Sequence, residues 1–251
     1  MPFESGSRPT FGRTLPNLFS RIDETTIADH PRLHATDEIY YLFEYTSGRN
    51  YAFGATNNLI SNLKKKPSRR AQADYKYKLR AMRECAANLS GAINHGWLNG
   101  ATLVPVPPSK ARTHPDYDDR MAQICRAIPV DFAVDVRELV VQTQSTEAAH
   151  ESNFRPTVEE LLAIYQIDEN LTVPAPNRIA IVDDVLTAGT HFRAMHTVLS
   201  ARFPGIPTVG MFIARRVFPE NDPAADFTIP WSSVAPERGT GKNCSPAFAG
   251  S

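Results

Sequence analysis

The sequence predicts an α/β domain with a central, mainly parallel β-sheet flanked by helices. Two observations carry this expectation. Apolar runs of strand length at 101–107 (ATLVPVP) and 178–184 (RIAIVDD) are each followed by a stretch with helical spacing, DRMAQICRAI at 119–128 and THFRAMHTVLSARF at 190–203. Strands that alternate with helices in this way imply βαβ units and a parallel sheet. The bulk numbers agree: 251 residues, 42% hydrophobic and 22% charged, suffice for one large domain or two small ones with a sizeable core.

The elements follow in order. Residues 1–36 are polar, dotted with prolines and without sustained period, so an irregular lead-in is expected. EIYYLFEYTSGRNYAF (38–53) is rich in aromatics around Ser-Gly and reads as a hairpin. TNNLISNLKKK (56–66) is a short amphipathic helix stopped by Pro67. A long helix is expected from about Ala71 to Ile93, with Leu79, Met82, Ala86, Leu89 and Ile93 three or four positions apart. ATLVPVP is a buried strand running into a proline-stiffened loop, DRMAQICRAI a helix, and AVDVRELVV (133–141) mostly strand. QTQSTEAAHESNFRP (142–156) breaks every period. RIAIVDD is a strand, THFRAMHTVLSARF a helix and TVGMFIARRV (208–217) the last strand; residues 219–251 read as a tail.

Charge is balanced overall at 27 basic and 27 acidic residues, which argues against a dedicated nucleic-acid binder, but it is unevenly placed. Residues 64–83 hold nine Lys or Arg against one Asp, whereas 115–170 hold twelve acids against four arginines. The basic stretch is a solvated helix face or a contact surface for a nucleic-acid or protein partner. Cys85, Cys125 and Cys244 are too scattered for a disulfide framework or a zinc site and read as reduced thiols of a cytoplasmic protein. No apolar leader or membrane-length run occurs, so no membrane role is expected.

The chemistry lies at Asp183 and Asp184. In an open parallel sheet, ligands bind beyond the carboxyl ends of the strands, and the two acids sit at such an end, after Ile179-Ala180-Ile181-Val182. Carboxylates there accept the vicinal hydroxyls of a sugar, with Mg²⁺ holding a phosphate nearby. Thr187-Ala188-Gly189-Thr190 then opens a helix near His191, and small residues with free N–H groups at a helix N-terminus bind phosphate. A ribose 5-phosphate fits both halves. Ser109 and Lys110 follow another strand and are candidates for a second anion. His150 is a candidate general acid in a polar loop. Arg215-Arg216 reads as a solvated strand end, and GTGKN (239–243) lacks the spacing of a phosphate loop.

The run from Ile179 to Thr190 resembles the phosphoribosyl-pyrophosphate (PRPP) loop of type I phosphoribosyltransferases at all twelve positions. Thr187 stands where the 6-oxopurine enzymes have an acid, which disfavours purine salvage; the wording of the loop is closest to orotate phosphoribosyltransferases. The surroundings resemble the ComF-type, amidophosphoribosyltransferase-like branch: Val104-Pro105-Val106-Pro107 before a basic loop, and YYLFEY…NLISNLKKK as a small hood. The resemblance implies a type I phosphoribosyltransferase fold, with a hood and long helix over 37–100, a core over 101–218 and a mobile segment at 142–156. It departs at Asp116-Tyr117-Asp118-Asp119, where that branch has Arg-Gly-Phe-Asn-Gln, and at His150, where an arginine is expected. A different leaving group, an extra Mg²⁺ at Asp118 or Asp119, and lost catalysis all remain open.

The expected function is Mg²⁺-assisted phosphoribosyl transfer from PRPP with release of pyrophosphate, the acceptor unread. Catalytic roles fall to Asp183, Asp184 and His150, and the metal to Asp183 and Asp184. Ligand binding falls to those two acids with Thr187, Ala188, Gly189, Thr190, His191, Ser109 and Lys110. Two other readings stand beside it: a non-catalytic PRPP or nucleotide sensor, and a nucleotide- or nucleic-acid-modifying effector controlled by a partner. A homo-oligomer is a further expectation.

Overall fold

A mostly parallel six-stranded sheet organises the fold of the computed structural model, which describes residues 18–146 and 156–219. Its strands are β1 (Ser20–Arg21), β2 (Glu38–Thr46), β3 (Thr102–Pro105), β4 (Asp135–Val136), β7 (Ile179–Leu186) and β8 (Thr208–Val217), in the order β1-β2-β8-β7-β3-β4. Only β1 runs antiparallel. A separate antiparallel pair joins β5 (Val140–Gln142) to β6 (Tyr165–Ile167). The helices are α1 (Ala55–Leu63), α2 (Lys76–Ala92), α3 (His95–Leu98), α4 (Arg120–Arg126), α5 (Val158–Ile164) and α6 (Thr190–Arg202). Among the described residues no helix is long and apolar enough to cross a membrane. Contacts divide the chain into Met1–Val217, to which all of these elements belong, and Phe218–Ser251, nearly all of which lies outside the described residues.

Helices cover both faces of the sheet, which is why β7 is apolar almost throughout. Ile179 and Ile181 pack with Phe192, Met195 and Leu199 of α6, while Ala180 and Val182 pack on the other face with residues of α1, α2 and α4. Residues 37–100, expected as a hood, supply the sheet strand β2 and cover this second face through α1 and α2. Residues 18–36 hold one two-residue strand and a 3₁₀ turn (Ile27–Asp29), yet bury Ile22, His30 and Leu33.

Three expectations need correction. The hairpin at 38–53 does not form: β1 and β8 occupy both edges of β2, so residues 50–53 have no edge to join. The chain instead turns at Gly48, and the buried Asn57 side chain accepts from Thr46 N (3.1 Å) and donates to the carbonyls of Thr46 (2.9 Å) and Arg49 (3.1 Å). The long helix begins at Lys76, because 3₁₀ turns at Pro67–Arg69 and Ala73–Tyr75 separate it from α1. Met82, Ala86, Leu89 and Ile93 are buried as expected, and the stripe departs only at its first position. Lys78 is buried and Leu79 is 43% exposed. Finally, 133–141 is split between β4 and β5, in different sheets.

Candidate ligand-binding site

The connections create a crevice. From β3 the chain leads through α4 to β4 on one side; from β7 it leads through α6 to β8 on the other. Adjacent parallel strands β3 and β7 therefore send their following helices in opposite directions, and to opposite faces of the sheet. Open α/β sheets bind ligands at such a switch point. A cleft of about 280 Å³ lies there, lined by Lys64, Lys66, Arg120, Asp183, Asp184 and Thr187 among others, with Ser109, Lys110 and His191 also on its wall.

The two adjacent acids have different surroundings. Asp184 is buried: Lys64 Nζ lies 3.4 Å from Oδ1, and Arg120 donates to Oδ2 from Nη2 (2.5 Å) and Nε (3.2 Å). Burial opposes its charge, but the two cations outweigh it and hold the carboxyl well below the usual range. Asp183 is half-buried, and its Oδ1 accepts from the Asp184 amide at 2.7 Å. Burial and the neighbouring carboxylate push its pKa up. Asp183 is thus the acid open to a ligand, and Asp184 is committed to Lys64 and Arg120.

The charge network continues. Arg120 Nη1 donates to Asp118 Oδ2 (2.7 Å), which also accepts from Lys78 Nζ (2.6 Å). Lys78 completes its three donors on the carbonyls of Leu63 (3.0 Å) and Lys65 (2.7 Å). It thereby caps the C-terminal end of α1, where carbonyls lack intrahelical partners. Of the other acids in 116–119, Asp116 accepts from the Ser68 amide (3.2 Å) and Asp119 from Gln123 (2.5 Å). The acidic segment therefore meets protein donors, and Lys64, Lys66 and Arg120 bring positive charge to the cleft from elsewhere.

The loop 187–189 is braced from beneath by the lead-in. The buried His30 bonds through Nδ1 to the Thr187 carbonyl, and the Arg32 amide donates to the Ala188 carbonyl at 2.9 Å. Gly189 precedes the thirteen-residue α6 with φ of 86°, a left-handed conformation that favours glycine. A Cβ there would sit 2.8 Å from Leu33 Cδ2. Gly189→Ala is expected to lower stability by roughly 1–3 kcal/mol through the backbone conformation and this contact, measured by urea unfolding.

His191 shares a 2.8 Å hydrogen bond with the Tyr165 hydroxyl, and burial pushes its pKa down to about 4. It is neutral in the folded protein where the unfolded chain would be charged. Its contribution to folding stability should be full above pH 6.5 and be lost as pH drops from 6.5 towards 4, because the unfolded state takes up the proton first, while the raised Asp183 carboxyl works in the opposite direction over the same range. His30 and His196, also lowered by burial, add to the same limb. His191→Phe should reduce its slope by up to one proton, about 1.4 kcal/mol per pH unit, in denaturation curves across that range.

The other expected residues fall as follows. The Ser109 carbonyl accepts from Gln142 Nε2 (2.8 Å) and Thr146 N (2.7 Å), and Ala111 N donates to Ser145 Oγ (3.0 Å), so the 109–111 loop is tied to the start of the 142–156 segment. His150 and residues 147–155 lie outside the described residues. Arg215 bonds to Glu44 (2.5 Å) and Asp29 (3.1 Å) rather than facing solvent alone. Cys85 and Cys125 are buried free thiols; Cys244 lies outside the described residues.

Sequence reasoning missed Lys64, Lys78, Arg120 and His30. A lysine inside a helical stripe reads as a polar face, although 78, 82, 85 and 89 keep helical spacing. Nothing local in the sequence singles out the other three.

No family model matches the chain, and no curated protein matches it.

Proposed function

We propose that this chain is a type I phosphoribosyltransferase-like protein whose switch-point cleft binds PRPP, or a nucleotide bearing the same ribose 5-phosphate. The observation that carries the reading is the convergence, at one cleft, of the open Asp183 carboxylate, the braced loop at the start of α6, and three cations. In this reading Thr187–Thr190 holds the 5-phosphate, since the N–H groups of a helix's first turn have no intrahelical acceptor. Asp183 accepts a ribose hydroxyl. Lys64, Lys66 and Arg120 face a second anionic group, which the departure at 116–119 had seemed to leave without partners.

The donor set fits Mg²⁺ in part. Mg²⁺ is commonly held by one or two carboxylates and the phosphates of its ligand; Asp183 is available for this, whereas Asp184 already meets two cations. Among the described residues no group of three or more His, Cys, Asp or Glu is placed to hold a metal unaided. When bound, the ion would neutralise phosphate charge. The chain's own part is orientation: anchoring the remote 5-phosphate turns binding energy into placement of the anomeric carbon. In transfer, the bond from that carbon to pyrophosphate breaks, the pyrophosphate takes the electron pair, and an acceptor forms the new bond. Negative charge at Asp183 favours the oxocarbenium character that develops.

A second reading, a sensor that binds without turnover, is favoured by the engagement of Arg120 and Lys64 by Asp184 and Asp118. Pyrophosphate release, followed with PRPP and Mg²⁺ across a panel of bases and nucleic acids, separates the two. Acceptor-dependent release supports the transferase. Binding without release supports the sensor.

A further inference from the structure

The basic stretch does not form one uniform face. Lys64 is directed to Asp184, Lys78 is buried on Asp118, and Lys65 and Arg69 pair with Asp74 at 3.2 and 2.8 Å. Of the remaining cations, Arg80 lines a groove of about 650 Å³ between residues 51–55, α1 and α2. Tyr51, Phe53 and Tyr77 line it, exposed by 63%, 57% and 46%. Single exposed apolar side chains are ordinary. Here three of the seven large exposed hydrophobics among the described residues share one groove, and all three are aromatic.

Each flank carries cations. The Arg49 guanidinium lies 5.7 Å from the Phe53 ring centre, and Lys65 and Lys76 lie 5.1 and 5.4 Å from that of Tyr77. Arg80 joins the lining with the amides Asn58 and Asn62, and Glu84 is the acid among these lining residues. Aromatic faces interleaved with cations and amides suit a ligand that alternates flat bases with phosphates. A purely acidic peptide would use the cations and leave the rings idle. A lipid surface would not call for amides along the floor.

We propose that this groove binds single-stranded nucleic acid, with bases stacking on Tyr51, Phe53 and Tyr77 and phosphates meeting Arg49, Lys76 and Arg80. The groove shares α1 with the candidate ligand site: Asn58 and Asn62 lie on its groove side, and Lys64, directly after it, lines the cleft. The inference stands independently of the PRPP reading.

The test is fluorescence anisotropy of the full chain with labelled single-stranded DNA and RNA oligonucleotides of mixed sequence, competed by duplex of the same length and by polyglutamate. Binding should weaken with salt, with a log–log slope of roughly −2 for about three phosphate contacts. Tyr51→Ala with Phe53→Ala, and separately Arg80→Ala, should each weaken binding roughly tenfold or more while thermal midpoint and PRPP titration stay unchanged. Tyr51→Phe should retain affinity. Absence of binding, indifference to these substitutions, or displacement by polyglutamate as effective as by oligonucleotide would overturn the proposal; the last would mark a general polyanion face open to acidic protein partners. PRPP binding measured on the same samples keeps failure here distinct from failure of the phosphoribosyl reading.

Discussion

Arg120→Met is expected to destabilise the fold by about 3–5 kcal/mol, the range for breaking a buried charge pair from one side. The guanidinium sits between Asp184 and Asp118, bonding each at 2.5 and 2.7 Å, and both carboxylates are largely shielded from water. Methionine leaves them with Lys64 and Lys78 as their named cations. Asp184 should then lose part of what depresses its pKa, so the variant should also unfold at a higher pH on acid titration. Chemical denaturation at neutral and acid pH reads both effects. A change below about 1 kcal/mol, the level of an exposed pair, would contradict the assignment.

Lys78→Met should cost a similar amount, about 3–5 kcal/mol, for a different reason. Methionine matches the apolar stem but leaves the Leu63 and Lys65 carbonyls without this donor and Asp118 with Arg120 alone. Unsatisfied groups in a buried setting carry the desolvation cost that made them seek partners. The loss falls on the end of α1, directly before Lys64, so ligand affinity should fall with stability. Because the two cations share Asp118, only the double variant leaves that carboxylate with neither, so it should cost more than the sum, and a double-mutant cycle by urea unfolding reads the coupling.

The parts of the molecule that could be read from sequence are those whose signal is local. β7, β8 and α6 each declare themselves by a continuous apolar run or helical spacing, and β8 spans the expected 208–217. The acid pair and the loop after it were legible for the same reason. α5 and β6 lie where no element is expected, although Thr157 and Glu160 form a capping box whose pattern is visible in the sequence. Non-local choices were out of reach. Whether 50–53 pairs with 38–46 depends on β1 and β8 having taken both edges of β2. The role of Asp118 depends on a lysine forty residues earlier that sits in an apolar stripe. The brace under Gly189 comes from a lead-in with no periodicity at all, where His30 and Leu33 read as ordinary loop residues.

The two acids are not equivalent targets for substitution. Asp184→Asn would disturb the pairs with Lys64 and Arg120 and confuse folding with binding. Asp183→Asn keeps an oxygen to accept from the Asp184 amide and removes only the open charge. The most direct test is calorimetric titration of PRPP with Mg²⁺ into the wild type and Asp183→Asn, with thermal midpoints recorded for both. The account predicts binding by the wild type and a loss of at least tenfold in the variant at an unchanged midpoint. Equal affinity in the two proteins, or no binding by the wild type, would contradict it.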